Sequence, residues 1–329
     1  MLKIGLFGAG HLGKFHLQQW QNVEGAKLVG FYDPLNDVAE AVAAEHGIPR
    51  FDSANSLLDS VDAVDIVTPT PAHYPIAIQA AQARKHLFIE KPLAQTLQEA
   101  REIASAVEAL GLTCAVGHVE RYNPALLALG DMPLSPLFIE GHRLAQFNPR
   151  GTDVSVILDL MIHDLDIVLH LVKSPVRTVS ASGVDVVSET ADIANARIEF
   201  ENGCVANLTA SRISLKKMRK MRLFQRDAYL GIDFLEKKTE IVRLDAPENE
   251  GGLRFPIETP SGEERIISVQ NPEVQASNAL RAELADCVQA ISSSRPPRVT
   301  VQDGLRALEL AHHILEQLDA QRAAVSLMK

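Results

Sequence analysis

Through roughly the first 120 residues, short apolar runs alternate with amphipathic stretches. Lys3–Phe7, Lys27–Tyr32, Ala63–Thr68, Leu87–Glu90 and Thr113–Val116 read as strands, while Pro34–His46, Pro75–Lys85 and Thr96–Leu110 carry helical spacing. Strand and helix alternating at these lengths predict an α/β fold: a doubly wound parallel sheet covered on both faces. From about residue 135 the pattern changes. Leu137–Ala145, Val176–Val186, Ile193–Glu201, Cys204–Ile213, Met221–Phe224 and Tyr229–Phe234 follow one another as strands. Glu201-Asn202-Gly203 supplies an Asn–Gly hairpin turn between two of them. The second half therefore reads as α+β with a mostly antiparallel sheet. Val274–Ser292 and Val301–Asp319 read as helices, and the Gly-, Pro- and Glu-rich stretch Asp245–Glu264 as a solvated loop. Two domains are expected, 1–120 and 121–329, which agrees with a length of 329 residues at the usual ~150 per domain.

One segment departs from simple amphipathicity. Ser155–Val172 is apolar on most sides, as a buried helix would be. Yet at ~100° per residue Asp159, His163, Asp166 and His170 fall on one line, within about 40° of each other. Such a stripe is costly in hydrocarbon and should face a polar cavity or satisfied partners. Asp159 sits one turn before His163, where it can orient the ring and favour its charged form. An imidazole so tuned can accept a hydroxyl proton. The plainer alternative is a buried, satisfied structural pair, and for Asp166 and His170 that alternative leads. A metal site from these ligand types ranks low, and none is expected.

Composition narrows the classes. Hydrophobic residues are 46% and charged residues 22%, ordinary for a globular chain. The net charge of −10 disfavours nucleic acid and anionic membrane as partners, and 5% aromatics disfavours base stacking. The most apolar long stretch carries Asp159, His163, Asp164, Asp166 and His170, so no membrane span is expected. Leu2 to Phe7 already reads as a strand, so no leader is expected ahead of it. Three scattered cysteines in no CxxC spacing point to a reducing, cytoplasmic setting.

Candidate chemistry starts at the first strand–helix junction, Gly8-Ala9-Gly10-His11-Leu12-Gly13. The first glycine allows the tight turn, the second lets backbone approach a pyrophosphate, and the third permits close helix–strand packing. The helix N-terminus then offers N–H groups to the phosphates. The second strand ends in Asp33, twenty residues past Gly13. A carboxylate there accepts ribose 2′-OH hydrogen bonds and repels a 2′-phosphate. Pro34, Leu35 and Asn36 follow, with no Arg or Lys among them, so NAD is favoured over NADP. Asp33 as a helix cap is the alternative.

Gly8–Gly13, Thr68-Pro69-Thr70-Pro71-Ala72-His73, Glu90-Lys91-Pro92 and Asp159-Leu160-Met161-Ile162-His163 occur in an order and spacing that resembles the glucose–fructose oxidoreductase/inositol dehydrogenase (Gfo/Idh/MocA) family over nearly the whole chain. The Glu-Lys-Pro tripeptide is the most specific element. The resemblance implies a Rossmann domain followed by a domain with a large open, mostly antiparallel sheet. It also implies NAD(P)-dependent chemistry at a hydroxyl-bearing carbon, and homodimers or homotetramers packed through the open sheet. Cofactor contacts are implied from Gly8, Gly10, His11, Leu12, Gly13, Asp33, Thr68, Pro69, His73, Glu90 and Lys91. Lys91, Asp159 and His163 are implied as the catalytic set. A lone Lys after a strand would otherwise read as an exposed charge. Met161 stands where many members carry Gly, which would narrow the substrate pocket.

Arg121, Tyr122 and Asn123 lie at the expected domain junction and are candidate substrate contacts, with Asn123 as an N-cap before Pro124 the alternative. Arg212–Arg222 (RISLKKMRKMR) packs six cations into eleven residues. It reads either as a solvated face or as a patch drawing in an anionic substrate. Arg143 and Arg150 add two more cations near the Asp159 helix. Gly117–Pro124 and Asn148–Val154 are most similar to a branch of the family that includes UDP-N-acetylglucosamine 3-dehydrogenases. That branch implies oxidation of a nucleotide-sugar 3-hydroxyl, with Arg150 and His163 among the substrate contacts. The alternatives are a dehydrogenase of a free sugar or cyclitol, and an NAD-binding sensor without chemistry.

Overall fold

The computed structural model describes residues 1–148, 154–245 and 252–326. The chain divides into two compact units. The first comprises Met1–Tyr122 with Asn278–Glu309, so it takes in a later segment that the sequence groups with the second half.

In the first unit the apolar runs become β1 (Leu2–Phe7), β2 (Ala26–Tyr32), β3 (Ala63–Ile66), β4 (His86–Glu90) and β5 (Cys114–Gly117). They form one parallel sheet in the order β2-β1-β3-β4-β5. Between them run α1 (His11–Trp20), α2 (Asn36–His46), α3 (Ala54–Ser60), α4 (His73–Gln82) and α5 (Leu97–Ala109). Start signals are local: the Thr96 hydroxyl accepts the Glu99 amide while the Glu99 carboxylate accepts that of Thr96, closing a capping box on α5. Ser53 caps α3, a short helix whose seven residues show too little periodicity to stand out in sequence. Near-continuous burial of β3 to β5 is what a sheet covered on both faces requires. The helix α8 (Ala279–Ser292) adds Leu284, Cys287 and Val288 to a core shared with Leu17, Trp20, Phe31 and Phe88. The strand order reverses between β1 and β3, where sheets of this type bind ligands beyond the strand carboxyl ends.

The second unit comprises Asn123–Ser277 with Leu310–Lys329. Its strands are β6 (Phe138–Leu144), β7 (Val176–Val184), β8 (Ile193–Phe200), β9 (Val205–Ser211), β10 (Met218–Phe224), β11 (Ala228–Asp233), β12 (Lys238–Leu244), β13 (Leu253–Glu258) and β14 (Glu264–Gln270). They form one open sheet, ordered β13-β14-β12-β11-β10-β6-β9-β8-β7, antiparallel except for the β6–β9 pair. The Asn202-Gly203 turn joins β8 and β9 as the sequence predicts, with Gly203 at φ +87. The short α6 (Pro124–Leu127) precedes β6, α7 (Ile162–Leu171) precedes β7, and the second unit also receives most of α9 (Val301–Ser326).

Two expectations need correction here. Asp245–Glu264 is not simply a loop, since its described part contains β13, which pairs with β14 as a hairpin. The exposed outermost strand of a sheet tolerates Pro256 and leaves little hydrophobic alternation to read. The Ser155–Val172 segment is also not one α-helix: Ile157–Met161 is a π turn that leads into α7. The extra residue per turn rotates Asp159 away from its ideal α position.

Candidate active site

In the first unit the candidate site residues begin at the loop after β1. Gly8 adopts φ +93, and a Cβ there would lie 2.9 Å from the Thr68 backbone. A Cβ on Gly13 would lie 2.0 Å from the Gly8 carbonyl oxygen, so only glycine lets α1 start this close to β1. Gly10, the N-cap of α1, has open space where a Cβ would sit. A phosphate can therefore approach backbone at the positive end of the helix. Asp33 closes the other side. Its Oδ2 accepts the Ala9 amide at 2.8 Å and its Oδ1 the Leu35 amide at 2.9 Å. Each oxygen keeps acceptor capacity for a ribose hydroxyl. Leu35, not Asp33, is the N-cap of α2, so the alternative reading of Asp33 as a helix cap falls. These features fit a bound dinucleotide.

Thr68 and Pro69 follow β3 across the switch point. His73 at the start of α4 is almost fully buried. Its Nδ1 lies 2.9 Å from the Pro92 carbonyl oxygen and its Nε2 2.9 Å from that of Thr68. The ring therefore ties the loop after β3 to the loop after β4, the loop that carries Lys91. The Lys91–Pro92 bond is cis. Glu90, the last residue of β4, is buried and accepts the Lys91 amide on Oε2 at 3.1 Å. Behind it lies a group that sequence reasoning missed. His16 on α1 has its Nδ1 2.8 Å from Asp65 Oδ2 and its Nε2 3.2 Å from Glu90 Oε1. A charged residue inside the apolar strand Ala63-Val64-Asp65-Ile66 was the available signal.

Arg50 was also missed. It donates to the Asn36 side chain at 2.9 Å and pairs with Glu40 at 3.2 Å. The fold thus brings a cation to the residues that follow Asp33, which no local window shows.

The junction residues Arg121, Tyr122 and Asn123 are buried. Arg121 is buried and lies 3.5 Å from Asp303. The Tyr122 hydroxyl donates to Asp286 at 2.9 Å, and burial pushes it well above the usual phenol range, helped by the Asp286 charge. In the second unit, Asn123 caps α6 through the Ala125 amide and donates to the Phe234 carbonyl at 3.0 Å. Arg150 lies outside the described residues.

In the second unit the candidate residues lie on the π turn and α7. Asp159 and His163 are half-buried, Asp166 is buried and His170 exposed, so the predicted line is not one uniform face. Met161 is fully buried. Asp159 borders a cavity of about 390 Å³ whose lining includes Arg143, Arg212, Lys217 and Arg219. Arg143 is clamped by Asp164 of α7, Nε to Oδ2 at 3.0 Å and Nη2 to Oδ1 at 2.8 Å. Arg212 is buried, donates to the Val154 carbonyl and lies 3.7 Å from Asp192. The basic run therefore divides by strand period. Lys217 and Arg219 border this cavity, whereas Lys220 pairs with Asp233 and Arg222 with Glu140 on the opposite face of β10. Among the described residues no cluster of three or more His, Cys, Asp or Glu is placed to hold a metal, and no helix is long and apolar enough to cross a membrane.

Residues 2–118 match the oxidoreductase family of NAD-binding Rossmann fold, and residues 139–228 match the Gfo/Idh/MocA C-terminal domain. The chain belongs to the Gfo/Idh/MocA oxidoreductase family. It is 37% identical to a UDP-N-acetylglucosamine 3-dehydrogenase of Acidithiobacillus ferrooxidans, over 97% of this chain and 98% of that protein. A solved structure of that organism's UDP-N-acetylglucosamine 3-dehydrogenase GnnA superposes with TM-score 0.87 at 35% identity, covering 97% of this chain and 98% of the other. The scyllo-inositol 2-dehydrogenase (NAD(+)) of Bacillus subtilis is 33% identical over 65% of this chain and 68% of its own length.

Proposed function

We propose that this member of the family oxidises the 3-hydroxyl of a nucleotide sugar of the UDP-N-acetylglucosamine type, with NAD as acceptor. The observation that carries the substrate reading is the cationic cavity beside Asp159. In a chain of net charge −10, Lys217 and Arg219 line this cavity together with Arg143 and Arg212, whose own charges are paired with Asp164 and Asp192. A diphosphate is the part of such a substrate that this charge suits. The near full-length likeness to a UDP-N-acetylglucosamine 3-dehydrogenase supports the same reading.

Gly8, Gly10, His11, Leu12 and Gly13 would hold the pyrophosphate and Asp33 the adenosine ribose, with Thr68 and Pro69 along the nicotinamide side. Asp33 repels a 2′-phosphate and Glu40 neutralises Arg50, which supports NAD over NADP. Bound NAD would accept, at C4 of its nicotinamide, the hydride that leaves the carbinol carbon. Lys91 polarises the reacting hydroxyl. His163 takes its proton, with Asp159 orienting the ring, so the products are a 3-keto sugar, NADH and one proton. Three buried free thiols support a reducing, cytoplasmic setting. Assembly as a homodimer or homotetramer through the open sheet is supported by the Phe138, Phe224 and Tyr229 ring cluster on its outer face.

Thermal stabilisation tests the substrate class. With NAD present, a UDP-sugar near one hundred times its Kd should add about 2.7 kcal/mol, and inositol or glucose much less. Stabilisation by inositol alone would replace this reading with a cyclitol dehydrogenase, the activity named for the Bacillus subtilis relative.

A further inference from the structure

Four ionisable groups alternate in sign through the first unit: Asp65 on β3, His16 on α1, Glu90 at the end of β4, and Lys91 after it. Asp65 and His16 are wholly buried and Glu90 is 7% exposed. Asp65 Oδ2 accepts from both His16 Nδ1 at 2.8 Å and the Trp20 indole N–H at 2.6 Å. The far side of the imidazole meets Glu90 Oε1 at 3.2 Å, an ion-pair contact rather than a well-aligned hydrogen bond. A carboxylate at each ring nitrogen requires a proton on both.

Glu90 itself has little freedom. Oε1 faces His16 and Oε2 accepts the Lys91 amide. From β5, a Cβ on Gly117 would lie 2.7 Å from the carboxyl carbon, so a side chain there would push the group from its present place.

We propose that His16 is a positioning residue: a permanent buried cation that keeps Glu90 ionised and aimed at the Lys91 amide, and so sets the backbone from which the Lys91 ammonium reaches the reacting hydroxyl. A buried chain of charges is a weak stabiliser compared with apolar packing of the same volume. It does supply a fixed orientation. Burial alone would discharge His16, but Asp65 and then Glu90 push it up to about 10. Burial likewise opposes the charge on Glu90, yet His16 and Lys91 hold it below the usual carboxylate range. The groups facing His16 are Asp65, Trp20, Glu90 and the Phe88 ring. Lys91 and His73 act on Glu90 from beyond, and Cys287 lies on the Asp65 side.

The kinetic consequence rests on the dehydrogenase reading; the charge itself does not. Nitrogen NMR of the full chain, labelled at histidine and held near pH 8, should show an imidazolium that disappears in His16→Gln. A neutral His16 ring at that pH overturns the proposal. In turnover, His16→Gln should lower kcat ~10–100-fold with KM for NAD within about twofold. The acid limb of its kcat profile should move upward, because Glu90 has lost its cation. Unchanged kcat and profile also overturn the proposal. If His16→Gln does not fold, Glu90→Gln keeps the shape and is read the same way: a fall in kcat supports the proposal and unchanged kcat overturns it. If wild-type protein oxidises no sugar, the dehydrogenase reading fails, and the NMR result alone decides the charge.

Discussion

The Ala9 amide donates to Asp33 Oδ2 at 2.8 Å, so the residue proposed to hold the ribose also holds the glycine loop in place. On the proposed reading, Asp33 serves loop geometry and cofactor choice together. Asp33→Ser should remove the charge that repels a 2′-phosphate, while Arg50, held by Asn36, remains close to the same loop. We expect NAD affinity to fall ~10-fold and NADP affinity to rise, as a side chain that hydrogen-bonds weakly replaces a charged one. Isothermal titration with both cofactors measures this. Loss of NAD binding without gain of NADP would show that Arg50 is unable to serve.

Arg143 and Asp164 join β6 to α7 by two parallel hydrogen bonds in the interior. Asp164→Ala leaves a buried guanidinium with its bidentate partner removed. A loss of about 3–5 kcal/mol is expected in urea unfolding. A loss under 1 kcal/mol would mean that the pair does not fix α7.

Lys217 and Arg219 border the cavity that Asp159 shares. Removing a charge-assisted contact to a diphosphate costs about 1.5–3 kcal/mol. Arg219→Ala should raise KM for a UDP-sugar by ~10–100-fold with little change in kcat. Equal loss for inositol would detach the cavity from anion recognition.

Asp192 accepts the amides of Val186, Val187 and Ser188 on a single oxygen. Burial opposes its charge, but these hydrogen bonds hold the carboxyl well below the usual carboxylate range. A depressed folded value gives stability that is present above the unfolded pKa of about 3.9 and lost as pH falls below it. His16 has the opposite sign. Its contribution is complete below about pH 6.5 and drains away as pH climbs towards 10. Melting curves should therefore show Asp192→Asn flattening the acid limb and His16→Gln flattening the alkaline limb.

The alternating apolar runs made the parallel sheet legible, because buried strands and amphipathic helices have different periods. The glycine loop and Asp33 were legible for the same local reason: three glycines and an acid at fixed spacing. What escaped was set by long-range contact. Nothing near His16 announces Asp65, forty-nine residues away, and nothing near Asn36 announces Arg50. The π turn escaped because one extra residue in a turn leaves the hydrophobic pattern almost unchanged. The hairpin partner β13 escaped because an exposed edge strand buries too little to alternate.

Formation of NADH, followed by its near-ultraviolet absorbance, tests the central assignment most directly. With UDP-N-acetylglucosamine and NAD, the wild-type chain should produce NADH, and His163→Asn or Lys91→Ala should lower the rate ~10²–10⁴-fold while NAD binding stays nearly intact. Unchanged turnover in both variants, or NADH formed from inositol and not from any UDP-sugar, would contradict the account.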